Sequence, residues 1–559
     1  MRFFNTILLF LFVTFYASAQ LHHLNKNKIE AIDKLFHKWD NPNTPGAAIG
    51  IIQNGKMLYS KGYGMATLEH NVPNTSHTAF SIASNSKQFT AACIVLLSQQ
   101  GKLDLNQSLY SIYPDFPEYA KTISIKNLLN HTSGMRDYAQ ITYLSGARPN
   151  DYFNDDDIMK WVKGQKELNF PTGEKYLYCN SGYWLLGQIV KKISGMGLND
   201  FARKELFEPL RMNNTYFFDD NSMLIKHRAS GYIPSRSGTF FNLLSTRENV
   251  GDGGGYTTVE DMKKWDDEFY EQKVLNASFW KLMTTRGVLN NGETITYASG
   301  LELKEYKGLK TIDHGGRAPG YWSNILRFPE QKLTVIVFTN REDANATPLG
   351  YRIADLFLKN KFVYQVKKNE TKRNIRFIKL TNKTLRRYEA SYWNAEDKKS
   401  RKVFFKNDTL MFVRGPGSIH PLVPISKNEF KVLGTPPFIK AFVTFRKTNL
   451  NFQLKTAING EISAPFRIYT PKEYTTKDLE SFLGRYYSDE IDAYYEFKME
   501  GDKIILLING RKTVQLRQIR DELFTSPMCD FQFKKSDQKM DEVRVSTSRV
   551  KNLLFKKVK

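Results

Sequence analysis

Two apolar runs with strand character flank Asn54-Gly55 within residues 46–67 (GAAIGIIQNGKMLYSKGYGMAT), and Asn-Gly between such runs is the strongest two-residue hairpin signal. Residues 85–100 then carry Phe89, Ala92, Cys93, Leu96 and Leu97 at helical spacing. That face ends at Gly101, which predicts an amphipathic helix with a glycine stop. Strand-like sequence returns at 297–305, 309–313 and 321–339, and an amphipathic segment at 347–359 closes the region. Strands at both ends with helices between them predict an α+β arrangement. Its antiparallel sheet joins the first hairpin to the last strands and is flanked by helices.

A basic stretch, 361–379, separates this region from a different texture of short strand-like runs and turns. There Leu385/Leu479, Tyr388/Phe482, Tyr392/Tyr486, Asp408/Asp502 and Phe430/Phe524 recur at an offset of 94 residues, which predicts a duplication. Copies of this size, rich in short strands, predict an all-β module of two barrel-like repeats, built as one barrel or two. The expected organisation is a leader at 1–19, an α+β unit at 20–362, a basic linker at 363–380, and β-repeats at 381–470 and 471–559.

The leader is read from Arg2, the apolar run Ile7–Tyr16, and Ala17-Ser18-Ala19 before Gln20, a signal peptide with its cleavage site. The run is too short to cross a bilayer of about 30 Å, and no other stretch is apolar enough, so an exported protein, periplasmic or secreted, is expected. Composition then excludes a disordered or fibrous chain: of 559 residues, 41% are hydrophobic and 25% charged. The net charge of +24 invites a nucleic-acid reading, but export argues against that partner. The charge is also uneven, with 41 basic against 22 acidic residues in 361–559 and 40 against 35 before it. Cys93, Cys179 and Cys529 form neither a disulfide framework nor a zinc spacing, and no H-E-x-x-H occurs. No metal and no cofactor is expected.

The candidate chemistry starts at Ser84-Asn85-Ser86-Lys87, an S-x-x-K. If Ser84 opens the helix, Lys87 lies one turn on and its amine reaches the serine hydroxyl, while the helix N-terminus offers N–H groups to an oxyanion. Tyr178-Cys179-Asn180 sits where a loop gives way to an apolar helix, and His314-Gly315-Gly316 lies between two strands. Each motif alone is common. Their order along one chain is not.

With LLNHTSGM (128–135), PTGEKYLYCNSGYWLLG (171–187), GGGYTTVEDMKKW (253–265) and HGGRAPGYWSN (314–324), these motifs resemble the serine β-lactamase and penicillin-binding protein superfamily. The resemblance is to the branch holding class C β-lactamases, DD-peptidases, D-aminopeptidases and esterases, and it covers about residues 28–360. It implies catalytic roles for Ser84, Lys87 and Tyr178: Ser84 is acylated, with Lys87 or Tyr178 as base and the Tyr178 phenol pushed toward phenolate by the nearby ammonium. It also implies an oxyanion site at the backbone N–H groups of Ser84 and Arg317, with Asn180, His314, Gly316 and Arg317 binding substrate.

Class C β-lactamases carry Lys-Thr-Gly where this chain has His314-Gly315-Gly316, so a peptidase, amidase or esterase is expected ahead of a true β-lactamase. The substrate is expected to be a small peptide, amide or ester. A non-catalytic envelope-binding protein on the same fold is the rival from another class. An α/β-hydrolase is excluded because no G-x-S-x-G occurs. The basic C-terminal module is expected to contact an anionic envelope polymer or to gate the cleft.

Overall fold

The computed structural model describes residues 24–148, 151–363, 375–395, 399–415, 418–435, 441–448, 451–458, 461–472, 474–536 and 539–558. The expected leader, and residues 364–374 of the expected linker, lie outside them. Among the described residues no helix is long and apolar enough to cross a membrane.

Six antiparallel strands form the central sheet: β1 (Ala47–Gln53), β2 (Lys56–Tyr63), β3 (Glu302–Tyr306), β4 (Leu309–Ala318), β5 (Tyr321–Phe328) and β6 (Leu333–Thr339). Their spatial order is β3-β4-β5-β6-β1-β2, so the first hairpin joins the last strands as expected. Asn54 and Gly55 turn the β1–β2 hairpin with φ of 51° and 73°, a pair of left-handed residues that suits the strands' twist. Three boundaries differ from expectation. Residues 297–301 lie outside β3, the following strand runs on to Ala318, and 321–339 is cut in two by the turn Pro329–Gln331, where proline supplies no N–H to a ladder.

Helices α1 (Lys26–Phe36) and α6 (Ala346–Leu358) pack on one face of the sheet and α5 (Val259–Glu271) on the other, while α2 (Lys87–Gln99), α3 (Tyr138–Leu144) and α4 (Asn180–Ser194) belong to a helical region beside it. Alternation along β1 decides the faces. Ala47, Ile49 and Ile51 pack with Ile32 and Phe36 of α1 and Ile353 of α6, whereas Ala48 and Ile52 join the larger core with Phe89 and Trp265. β1 is therefore apolar nearly throughout, because both of its faces are covered.

The C-terminal residues form two barrel-like β-units. In the first, eight strands from Ala390–Asn394 to Phe466–Tyr469 pair in a closed ring. In the second, nine strands from Gly484–Ser488 to Leu553–Val558 curl around their own core, with no pairing described between Arg511–Gln515 and Arg517–Arg520. The matched residues occupy matched places. Thr381 and Thr475 cap short helices carrying the buried Leu385 and Leu479, and the hydroxyls of Tyr392 and Tyr486 donate to the carbonyls of Tyr388 and Phe482.

The second β-unit docks on the α+β unit. Arg136, fully buried, donates to the carbonyl of Lys551 at 3.0 and 3.2 Å and pairs with the carboxylate of Glu490. The Tyr495 hydroxyl donates to the Leu144 carbonyl at 2.9 Å, and Ile141 and Leu144 of α3 belong to the unit's apolar core. A guanidinium buried this deeply is held by its partners or not at all.

Candidate active site

Ser84 does not open the helix. It lies in the 3-10 turn Ala83–Ser86, and α2 begins at Lys87. Ala83 stands before it at φ 49°, a left-handed conformation costly for any residue with a Cβ. Its surroundings hold it there. Ser86 Oγ donates to the Ala83 carbonyl and accepts from Gly255 N, while Ser323 Oγ donates to the Ile82 carbonyl and accepts from Asn85 Nδ2. The tight turn still leaves Lys87 Nζ 3.2 Å from Ser84 Oγ.

Lys87 is wholly buried, and its amine also donates to Asn180 Oδ1 at 3.0 Å and to the carbonyl of Asp252. Burial pushes its pKa down to about 8, against the pull of the Asp252 and Asp137 carboxylates. Asn180 is the first residue of α4, and its backbone N–H donates to Asp137 Oδ2, a carboxylate at a helix N-terminus where the dipole favours it. Tyr138 donates from its hydroxyl to both oxygens of Asp252.

Tyr178 departs from the phenolate the resemblance implies: burial drives its phenol up, offset only in part by the Ser84 hydroxyl and the Arg549 charge. Its ring lies 4.2 Å from that of His131, within the LLNHTSGM stretch. His131 Nδ1 accepts from Cys179 N, so its proton sits on Nε2, and burial keeps the ring neutral. His131 thus orients the Tyr178 loop-to-helix junction without adding charge to it.

His314 is buried, and both its nitrogens are engaged. A carbonyl can only accept, so Nδ1 carries the proton toward Gly315 O, at 2.7 Å, and Nε2 accepts from the Tyr297 hydroxyl at 3.0 Å. Burial pushes its pKa down to about 3, and a neutral imidazole results. Gly316 has a steric reason: a Cβ there would stand 2.2 Å from the Ile82 carbonyl oxygen and 2.3 Å from Ser323 Oγ. Glycine lets β4 close onto the turn that carries Ser84, which brings the backbone at Arg317 beside it. The Arg317 side chain is paired with Glu342 and stacked over Trp322.

Ser84, Tyr178, Asn180, His314, Arg317 and Arg549 line one cleft of about 550 Å³. Lys87 stands behind this lining, bonded to Ser84 and Asn180, and Gly316 packs against the turn that carries Ser84. The motifs do not name Asp137, Asp252, Tyr297 or Arg549. His131 and Asp252 had a signal, since each lies in or beside a matching stretch, whereas Arg549 had none.

A model of the beta-lactamase family matches residues 31–357. A penicillin-binding protein of Bacillus subtilis is 28% identical over 334 residues, which is 57% of this chain and 73% of that protein. A D-aminopeptidase of Brucella canis is 26% identical over 318 residues, 57% of this chain and 60% of the relative. In fold, the octameric penicillin-binding protein homologue of Pyrococcus abyssi superposes with a TM-score of 0.55 at 23% identity, covering 79% of this chain and 100% of that one. The family match takes in more than half of the chain and every cleft residue named above except Arg549: the chain belongs to the beta-lactamase family.

Proposed function

We infer that the protein is a serine hydrolase that cleaves amide or ester bonds of small substrates through an acyl-enzyme on Ser84. The observation that carries this reading is the buried Lys87 amine, 3.2 Å from the Ser84 hydroxyl and lowered in proton affinity. Ser84 Oγ attacks the acyl carbon and its proton passes to Lys87 Nζ or Tyr178 Oη. The developing oxyanion is met by the backbone N–H groups of Ser84 and Arg317. The leaving amine or alcohol takes the proton away, and water then cleaves the acyl–serine ester.

Relatives named D-aminopeptidase and penicillin-binding protein support peptidase or amidase chemistry. So does the neutral His314, which supplies no cation where class C β-lactamases carry a lysine. The position of Asn180 in the cleft lining supports its meeting a substrate amide. Export fits this chemistry, and the basic C-terminal module is the candidate for contact with an anionic envelope polymer or for gating of the cleft. Ser84→Ala is expected to abolish labelling by a serine-reactive fluorophosphonate, and retained labelling would overturn the assignment. Panels of D-amino-acid amides, p-nitrophenyl esters and nitrocefin, each with Ser84→Ala as control, separate amidase, esterase and β-lactamase. Absence of turnover with absence of labelling would favour the non-catalytic reading.

A further inference from the structure

Arg549 belongs to the second β-unit, yet its guanidinium lies 4.7 Å from the centre of the Tyr178 ring. Lys87 Nζ lies 4.9 Å from the same centre. Two cations, one from each unit, therefore stand against a single phenol. Arg317 and Lys304, which also line the cleft, pair with Glu342 and Glu302.

The position of Arg549 is built from both sides. Its N–H donates to Gln140 Oε1 at 3.0 Å, and its carbonyl accepts from Asp137 N at 3.3 Å and Asn169 Nδ2 at 3.0 Å. Its guanidinium meets Asp137 Oδ2 at 3.4 Å. Beside it, Gln140 Nε2 donates to Ser548 Oγ and Lys551 N donates to Asn169 Oδ1. A loop pinned in this way at its backbone does not leave the side chain's direction to chance.

Charge gives the placement a purpose. The carboxylates of Asp252 and Asp137 face Lys87 and Tyr178, and both favour the protonated state of either group. Arg247 acts on Asp252, and the remaining titratable neighbours are the neutral rings of His131 and His314, the phenols of Tyr138, Tyr176, Tyr183 and Tyr297, and the Cys179 thiol; none of these rings, phenols or thiol carries a charge to oppose those acids at Lys87 and Tyr178. Arg549 does oppose them, and it acts on Lys87 and Tyr178 in the same direction. We propose that the second β-unit is a working part of the active centre, with Arg549 as a positioning residue that offsets Asp137 and keeps the Ser84–Lys87–Tyr178 cluster ready to accept a proton. The role is the same whichever of the two is the base, and it rests on the acyl-enzyme reading.

The test uses the full chain and the rate of fluorophosphonate labelling from about pH 5 to about pH 10, with a p-nitrophenyl ester as a second readout. In Arg549→Gln the acid limb is expected to move to higher pH by about one unit, since loss of a nearby cation raises the pKa of either base. Labelling at neutral pH then falls about tenfold, while the rate at the alkaline plateau is kept. Arg549→Lys, which keeps the charge, is expected to restore most of the limb. A profile of Arg549→Gln that superimposes on that of the parent, or one that changes only KM for the ester, overturns the proposal. Failure of the acyl-enzyme reading is seen separately, as labelling that survives Ser84→Ala.

Discussion

At the scale of single residues, the site is governed by burial acting on groups that would carry charge in water. Lys87 is pushed down to about 8 and His314 down to about 3, both because a buried cation is costly. The signs fix the expected pH behaviour. A lysine with a lowered pKa is a neutral acceptor above about pH 8 and is lost as one when the pH falls through that value. His314 stays neutral throughout the working range. Labelling is therefore expected to rise along one acid limb with no inflection at the ordinary imidazole value of about 6.5. His314→Gln is expected to leave the position of that limb unchanged, and a limb that moves or splits in this variant would show that His314 titrates after all.

At the scale of elements, the turn Ala83–Ser86 and strand β4 are shaped to fit one another. The left-handed Ala83, the hydrogen bonds of Ser86 and Ser323, and the missing side chain at Gly316 all serve one close approach. Gly316→Ala is expected to cost about 1–3 kcal/mol by overpacking against backbone that cannot give way. Its labelling rate is expected to fall at least about a hundredfold, because a donor of the oxyanion site is displaced. Gly315→Ala is the control, since its Cβ would meet only the Thr347 hydroxyl, at 2.9 Å. Melting temperature and labelling rate, measured together, check this. Equal losses in the two variants would show that closeness at Gly316 is not what matters.

At the scale of the molecule, one short segment serves both the cleft and the assembly. Arg136 anchors the second β-unit through Glu490 and Lys551, and the next residue, Asp137, meets Asn180 and Arg549. Glu490→Gln removes the charge from a buried pair and leaves the guanidinium, among the described residues, with only the half-exposed Glu167 as an acidic partner. The expected cost is about 3 kcal/mol, at the low end for breaking such a pair. Because the same segment carries Asp137, the acid limb of labelling is expected to shift in this variant as it does in Arg549→Gln. Thermal unfolding and the labelling profile measure the two effects, and a shift in neither would separate the docking from the active centre.

The hairpin at Asn54-Gly55, the helix after Ser84, the 94-residue repeat and the S-x-x-K, Y-x-N and H-x-G motifs were legible along the chain. Each is a local pattern, either a periodicity imposed by one element's geometry or a spacing within one turn of chain. The excess of basic residues after residue 360 was legible too, but only as a number. Which cation turns inward depended on packing between surfaces far apart in sequence. Arg549 has no local signature, and its role exists only because Gln140, Asn169 and Asp137 hold its loop against Tyr178. The same holds for the burial that neutralises His314 and ties up Arg136, since desolvation belongs to the assembled core and leaves no mark on the order of residues.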